Sequence, residues 1–133
     1  MSTPEPSQDR DGPLPDRRFP ASVYRHGTEP DPRFSLANER TFLAWIRTSL
    51  ALLAAGVALE GLGLPLQPDL RLAASIVLIV LGLLAPVQAW RGWTRDERAV
   101  RLGTPLASPA LASPLTVGTV VAGVLVLLGL VLR

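Results

Sequence analysis

The chain has 133 residues, of which 48% are hydrophobic and 18% are charged, and its formal net charge is +2 at pH 7. It has no cysteine and one histidine, which excludes a disulfide framework and leaves too few ligands for a thiolate or imidazole metal site. Its basic residues are all arginines, and most of those after residue 31 flank apolar segments, so the composition does not favour nucleic-acid binding.

Residues 1–31 are rich in proline, aspartate, arginine, serine and glycine. They contain no apolar run that could form a core or the hydrophobic region of a signal peptide. We predict a disordered tail that faces the cytoplasm. It would act either as a docking arm or as a solvated extension.

A helix is expected to begin at Asp31, because aspartate caps helices and Pro32 suits the first helical position. Residues 32–41 are predicted to form an amphipathic lead-in helix, with Phe34 and Leu36 resting on the membrane. The apolar residues 42–64 that follow are predicted to be the first transmembrane span.

Three arginines, Arg33, Arg40 and Arg47, recur every seven residues, which is nearly two helical turns. The same face continues with small residues, which allow close helix packing in lipid, so we expect it to face protein: Ala44, Ala51, Ala54, Ala58 and Gly61. Bulky residues on the other side are expected to face lipid: Leu43, Ile46, Leu50, Leu53, Val57 and Leu64. Arg47 would either snorkel to the headgroups or turn inward to hold an anion or a carboxylate.

Two further runs carry no charge, residues 72–90 and 115–132. As helices, each would be roughly 27–29 Å long, enough to cross a hydrocarbon core about 30 Å thick. The chain is therefore predicted to be an all-α integral membrane bundle of three transmembrane helices, formed by residues 32–133. Close packing is expected from small residues of the second span, which are Ser75, Gly82, Ala85 and Ala89, and of the third, which are Gly118, Ala122 and Gly123.

The distribution of arginine predicts the orientation. The N-terminal flank and the connection of residues 91–114 are rich in arginine, whereas the connection of residues 65–71 has only Arg71. By the positive-inside rule, the N-terminus lies in the cytoplasm and the C-terminus lies outside.

The sequence offers no catalytic arrangement. There is no nucleophile beside a plausible base, no phosphate-cradling glycine loop followed by lysine and no metal-ligand spacing, so we expect neither enzymatic activity nor a cofactor. What remains is a cytoplasmic arginine cluster suited to phosphate or carboxylate, with Arg95, Arg98 and Arg101 as possible further members. Its candidate residues are Arg33, Arg40, Arg47 and Arg91, with Glu39 as an acidic partner. Glu60 and Arg71 are expected at the opposite side, as an ion pair or as part of a path.

Residues 36–48, LANERTFLAWIRT, closely resemble the signature of the YidH family of three-span bacterial membrane proteins. The connection with Trp90-Arg91 and Glu97-Arg98-Ala99-Val100-Arg101 also resembles that family. The resemblance implies a bacterial plasma-membrane location.

The same region is similar to the membrane domain of the fungal vacuolar transporter chaperone complex, which makes polyphosphate and passes it through the membrane. That similarity implies that Arg33, Arg40 and Arg91 face a polyanion, that Glu39 lies beside them, and that the chain forms homo-oligomers.

Two functions follow from these observations. The first is a non-enzymatic membrane subunit whose arginine cluster binds polyphosphate or an anionic lipid headgroup, with another membrane or cytoplasmic protein as a further candidate partner. The second is a small oligomeric transporter or channel for an anion or a proton, with Arg47 and Glu60 in the path.

Overall fold

The computed structural model describes residues 17–106 and 112–133, and within these residues every regular element is a helix. In chain order the helices are α1 (Ala21–Tyr24), α2 (Pro32–Gly61), α3 (Pro68–Leu102) and α4 (Ala112–Val131). The last three are long and apolar enough to cross a membrane. The predicted all-α class with three spanning helices is confirmed.

Helix α2 begins as the sequence predicts. The side chain of Asp31 accepts a hydrogen bond of 2.9 Å from the backbone N–H of Arg33, and Pro32 occupies the first turn. The helix then continues without a break to Gly61. Among the described residues there is therefore no separate amphipathic lead-in helix: residues 32–41 are the first turns of the spanning helix itself.

Helix α3 is longer than its predicted span. The side chain of Gln67 caps its start by accepting from the N–H of Leu70 at 2.7 Å, and Gly103 ends it in a left-handed conformation with φ of 66°. Pro86 lies inside the helix. Residues 91–102, placed by the sequence analysis in the second connection, extend α3 by roughly 18 Å beyond Trp90. Residues 107–111 of that connection lie outside the described residues.

Two serine–glycine hydrogen bonds join α2 to α3. The hydroxyl of Ser49 donates to the carbonyl of Gly82 at 2.5 Å, and the hydroxyl of Ser75 donates to the carbonyl of Gly56 at 2.7 Å. Glycine allows this approach, because a Cβ at Gly82 would lie 2.7 Å from the Leu53 side chain. The predicted packing face of the second span is confirmed, since its four small residues are all buried: Ser75, Gly82, Ala85 and Ala89.

Helix α4 packs on another side of α3. Gly118 lies against Leu81, and Ala122 and Gly129 are buried. Gly123, predicted to pack with them, is exposed. Across the described residues α2 and α4 do not contact each other, so α3 is the central helix of the three.

The chain before α2 packs on the C-terminal part of α3, and we call residues 17–31 the N-terminal strap. Val23 of α1 is fully buried, the backbone carbonyl of Ser22 accepts from Arg98 Nε at 2.8 Å, and the N–H of Thr28 donates to the carbonyl of Arg101 at 3.3 Å. The sequence analysis assigned this segment to a disordered tail, because its few apolar residues do not reveal that α3 extends far enough to support them. Residues 1–16 of that tail lie outside the described residues.

Candidate functional site

The three arginines spaced by seven residues form one row along α2, which we call the α2 stripe: Arg33, Arg40 and Arg47. All three are exposed. Successive members lie roughly 10 Å apart along the helix axis. None of the three guanidinium groups makes a hydrogen bond or an ion pair within residues 17–106 and 112–133.

The α2 stripe lies on the side of α2 that faces away from α3. Ser49 and Gly56 are the buried residues of α2. Arg40 precedes Ser49 by nine residues and Arg47 precedes Gly56 by nine, which is about two and a half turns. The stripe is therefore opposite the packing face, whereas the sequence analysis expected it to face protein.

The reason for this difference is that α2 has two faces of small residues. The face with Ser49 and Gly56 matches α3, because each supplies one partner of the serine–glycine hydrogen bonds. The face of the stripe has no counterpart among residues 17–106 and 112–133, and Ala44, Ala51 and Ala54 on it are exposed. Of the residues expected to face lipid, Leu43, Leu50 and Val57 are exposed, but Leu53 packs against Gly82.

Arg91 does not join the α2 stripe. It is exposed and follows Gly82 by nine residues, so it lies on the side of α3 that faces away from α2. Arg95 and Arg98 follow it by four and seven residues and share that side of α3. The exposed arginines at this end of α2 and α3 thus form two rows on two helices rather than one cluster.

The two predicted acidic residues, Glu39 and Glu60, lie far apart on α2 and do not form one site. Glu39 is exposed and has no ion pair among the residues that the structure describes. Glu60 Oε1 lies 3.2 Å from Arg71 Nε, and Arg71 Nη1 donates to the carbonyl of Leu64 at 3.0 Å. These contacts join the far ends of α2 and α3 through the short connection between them, and Glu60 lies roughly 20 Å from Arg47 along the axis of α2.

The sequence analysis missed a buried polar cluster centred on Glu97, which is 3% exposed. One carboxylate oxygen accepts from the Ser35 hydroxyl at 2.8 Å, and the other accepts from Asn38 Nδ2 at 3.3 Å. Asn38 also donates to the carbonyl of Trp93 at 3.1 Å. Arg101, 5% exposed, brings its Nε within 3.6 Å of Glu97. We call Ser35, Asn38, Glu97 and Arg101 the Glu97 cluster.

The N-terminal strap extends this cluster. Glu29 lies 3.6 Å from Arg101 Nη2, and the Arg101 guanidinium lies 4.6 Å from the centre of the Tyr24 ring. Arg18 stacks on the same ring at 4.5 Å and pairs with Glu29 at 2.9 Å. Two signals pointed to this site: the Glu97–Arg101 spacing of four residues, and two small polar side chains, Ser35 and Asn38, on one side of α2.

These observations define the chemistry that the site supports. The part of the chain that the structure describes contains no group of three metal-ligating side chains. It does contain exposed rows of guanidinium groups, which are suited to phosphate and carboxylate oxygens. With three helices long and apolar enough to span a bilayer, the chain is a multi-pass membrane protein with arginine rows at one end.

Comparison with known proteins identifies the family of the chain. The family described as "Domain of unknown function (DUF202)" matches residues 33–99, and the chain belongs to this family. It is 46% identical over 100 residues to the uncharacterized protein Rv2272 of Mycobacterium tuberculosis, a match that covers 74% of this chain and 82% of the relative.

It is also 48% identical over 86 residues to the inner membrane protein YidH of Escherichia coli K12, which covers 60% of this chain and 70% of the relative. The resemblance to the YidH family is therefore confirmed. No solved structure is significantly similar to the chain.

Proposed function

We propose that this chain is a non-enzymatic component of the bacterial inner membrane, and that its α2 stripe binds an anion, either polyphosphate or an anionic lipid headgroup. The proposal rests on the exposure of the stripe and on its lack of partners. Its three guanidinium groups share one exposed face and have no partner in the described residues. Each planar guanidinium offers several N–H donors that match phosphate oxygens.

The position of Arg47 strengthens this argument. It follows Phe42, where the apolar part of α2 begins, by five residues. An unpaired arginine at the centre of a span costs about 2.5–3.5 kcal/mol, and the cost falls toward the interface. An anion held between Arg40 and Arg47 would offset this cost, because the pair would share one neutralising group.

The small exposed residues beyond Arg47 support a homo-oligomer. Ala44, Ala51 and Ala54 lie on the same face as the stripe and leave room for a second copy to approach closely. Two stripes brought together would repel each other unless an anion lay between them. The sequence resemblance to the membrane domain of the fungal vacuolar transporter chaperone complex would imply the same arrangement.

The test is polyphosphate and anionic-lipid binding to the full chain in nanodiscs. Wild type is compared with Arg40→Ala and Arg47→Ala at two salt concentrations. The matched control is Arg25→Ala, because Arg25 is an exposed arginine of the strap with the same charge. We expect both stripe variants to lose affinity by at least about tenfold, since a hydrogen bond to a charged group is worth about 1.5–3 kcal/mol.

Equal weak binding by all four proteins, with only the salt dependence of a generic basic surface, would sink the proposal. A flux assay separates this function from the transporter alternative. A subunit that only binds the anion gives no substrate-dependent current. A current abolished by Arg47→Ala would instead make the chain a transporter or channel.

A further inference from the structure

A second cluster of arginine and threonine side chains surrounds a cleft at the C-terminal end of α3, on the side that faces away from α2. The cleft has a volume of about 440 Å³. Gly103 reverses the chain direction, so that the two residues after it form one wall. We call this the α3 cleft, and its lining residues are Thr94, Arg95, Arg98, Ala99, Thr104 and Pro105.

The two arginines of the α3 cleft differ in how they are held. Arg98 donates from Nε to the carbonyl of Ser22 at 2.8 Å, which orients the guanidinium and leaves its two terminal nitrogens without a partner in the described residues. Arg95 makes no hydrogen bond or ion pair there, and its charge interacts with that of the adjacent Asp96. Two guanidinium groups beside the same space can bind neighbouring oxygens of one anion.

Negative charge near the cleft comes from Asp96, which interacts with Arg95, and from the last carbonyl groups of α3. A helix C-terminus carries partial negative charge on its last carbonyls. Here the carbonyl of Ala99 accepts from the N–H of Thr104 at 2.9 Å, and the carbonyl of Val100 accepts from the N–H of Gly103 at 3.3 Å. Glu97 turns toward α2, where it is engaged by the Glu97 cluster.

We propose that the α3 cleft binds a phosphate group, carried either by a soluble phosphorylated compound or by a lipid headgroup. A phosphate accepts hydrogen bonds on several oxygens at once, which suits two guanidinium groups. The hydroxyl of Thr104 is not counted among the donors, because it donates to the carbonyl of Ala99 at 3.4 Å. The cleft is separate from the α2 stripe, because it lies on the side of α3 away from α2. It does not depend on the stripe binding anything.

The test uses two probes on the full chain. Inorganic pyrophosphate is titrated by calorimetry into protein in nanodiscs of phosphatidylcholine, and retention of phosphatidic acid is measured by native mass spectrometry. The variant is Arg95→Gln, which removes a charge without touching a contact that holds the fold. The control is Arg25→Gln, the same change at an exposed arginine of the N-terminal strap. We expect Arg95→Gln to weaken binding of at least one probe by about tenfold or more, and Arg25→Gln to bind both probes as wild type does.

The two probes identify the source of the phosphate. Binding of pyrophosphate alone, lost in Arg95→Gln, assigns the cleft to a soluble ligand, and retention of phosphatidic acid alone, lost in the same variant, assigns it to a lipid. If Arg95→Gln binds both probes as wild type does, or if neither probe binds, the proposal is overturned. Equal losses in Arg95→Gln and Arg25→Gln would also overturn it. Arg40→Gln is measured as a third variant that reports on the α2 stripe: a loss in Arg40→Gln with none in Arg95→Gln would overturn the cleft and leave the stripe standing, so the two proposals fail separately.

Discussion

The α2 stripe and the Glu97 cluster lie on opposite sides of α2, the cluster being shared with α3. The charged side chains are exposed in the stripe and buried in the cluster. The stripe has three exposed arginines without a partner in the described residues, whereas the cluster buries one glutamate and one arginine among hydrogen-bond donors. A buried charge is costly unless it is paired and hydrogen-bonded. Glu97 meets both conditions, whereas the Nε of Arg101 has an ion-pair partner but no hydrogen bond among the described residues. The cluster thus joins α2 to α3, while the stripe is exposed in the part of the chain that the structure describes.

The largest effect in this comparison is expected from Glu97→Ala. Among the described residues, this change leaves Glu29, 3.6 Å away, as the acidic partner of the buried Arg101. It also removes the acceptor of the Ser35 hydroxyl and one of the two acceptors of Asn38. Breaking one side of a buried pair costs about 3–5 kcal/mol. We expect a loss of that size in the free energy of unfolding, measured by titration with sodium dodecyl sulfate in mixed micelles.

The control for this variant is Glu39→Ala, which removes an exposed carboxylate and should change stability by less than about 0.5 kcal/mol. A second variant, Glu97→Leu with Arg101→Leu, removes both charges and should cost less than Glu97→Ala alone. Equal losses in Glu97→Ala and Glu39→Ala would mean that the cluster does not hold the helices together.

A smaller effect is expected from Gly56→Ala, on the packing face below the cluster. A Cβ at Gly56 would lie 2.6 Å from Cγ1 of Ile79 and 3.0 Å from the carbonyl oxygen of Ser75. The helices must move apart, which costs about 1–3 kcal/mol. In contrast, a Cβ at Gly92 would have no neighbouring atom within 4 Å from the described residues beyond the adjacent turns of α3. Gly92→Ala should therefore stabilise α3 by up to about 1 kcal/mol, because alanine has the higher helix propensity. The same unfolding titration measures both, and opposite signs are the expected result.

The smallest effect is expected at the far end of the helices, from Glu60→Gln. Its carboxylate pairs with Arg71 at 3.2 Å, but the two side chains are 38% and 22% exposed. Partly exposed pairs are worth about 0.2–1 kcal/mol. A loss above about 2 kcal/mol would show that this pair is as important as the Glu97 cluster, which the geometry does not predict.

The sequence was sufficient for the three spans because uncharged runs of membrane length have few other uses. It also predicted the cap at Asp31 and the packing face that contains Gly82, both from local patterns. It did not predict which side of α2 meets α3. Periodicity shows which residues share a face, but Ala51 and Ser49 are both small, and only the positions of Ser75 and Gly82 on α3 select the side with Ser49.

For the same reason, only part of the candidate site could be predicted from the sequence. The α2 stripe could be predicted, because its spacing lies within one helix. The separation of Arg91 from it could not, because that depends on how α2 and α3 are rotated against each other. The Glu97 cluster joins residues about 60 positions apart in the chain. The N-terminal strap packs on the part of α3 that follows the apolar span of that helix, and the apolar span alone does not predict this extension.

One labelling experiment tests the central claim, that the α2 stripe is an open anion site, most directly. The chain has no cysteine, so a single thiol can be introduced without background. Ala37 is exposed and lies between Arg33 and Arg40, and Ser22 is an exposed position on the strap. The rate of maleimide labelling is measured in nanodiscs for Ala37→Cys and Ser22→Cys, with and without polyphosphate. The account predicts that polyphosphate slows labelling several-fold at Ala37→Cys only, and that adding Arg40→Ala removes this protection. Equal rates with and without polyphosphate at Ala37→Cys would contradict it.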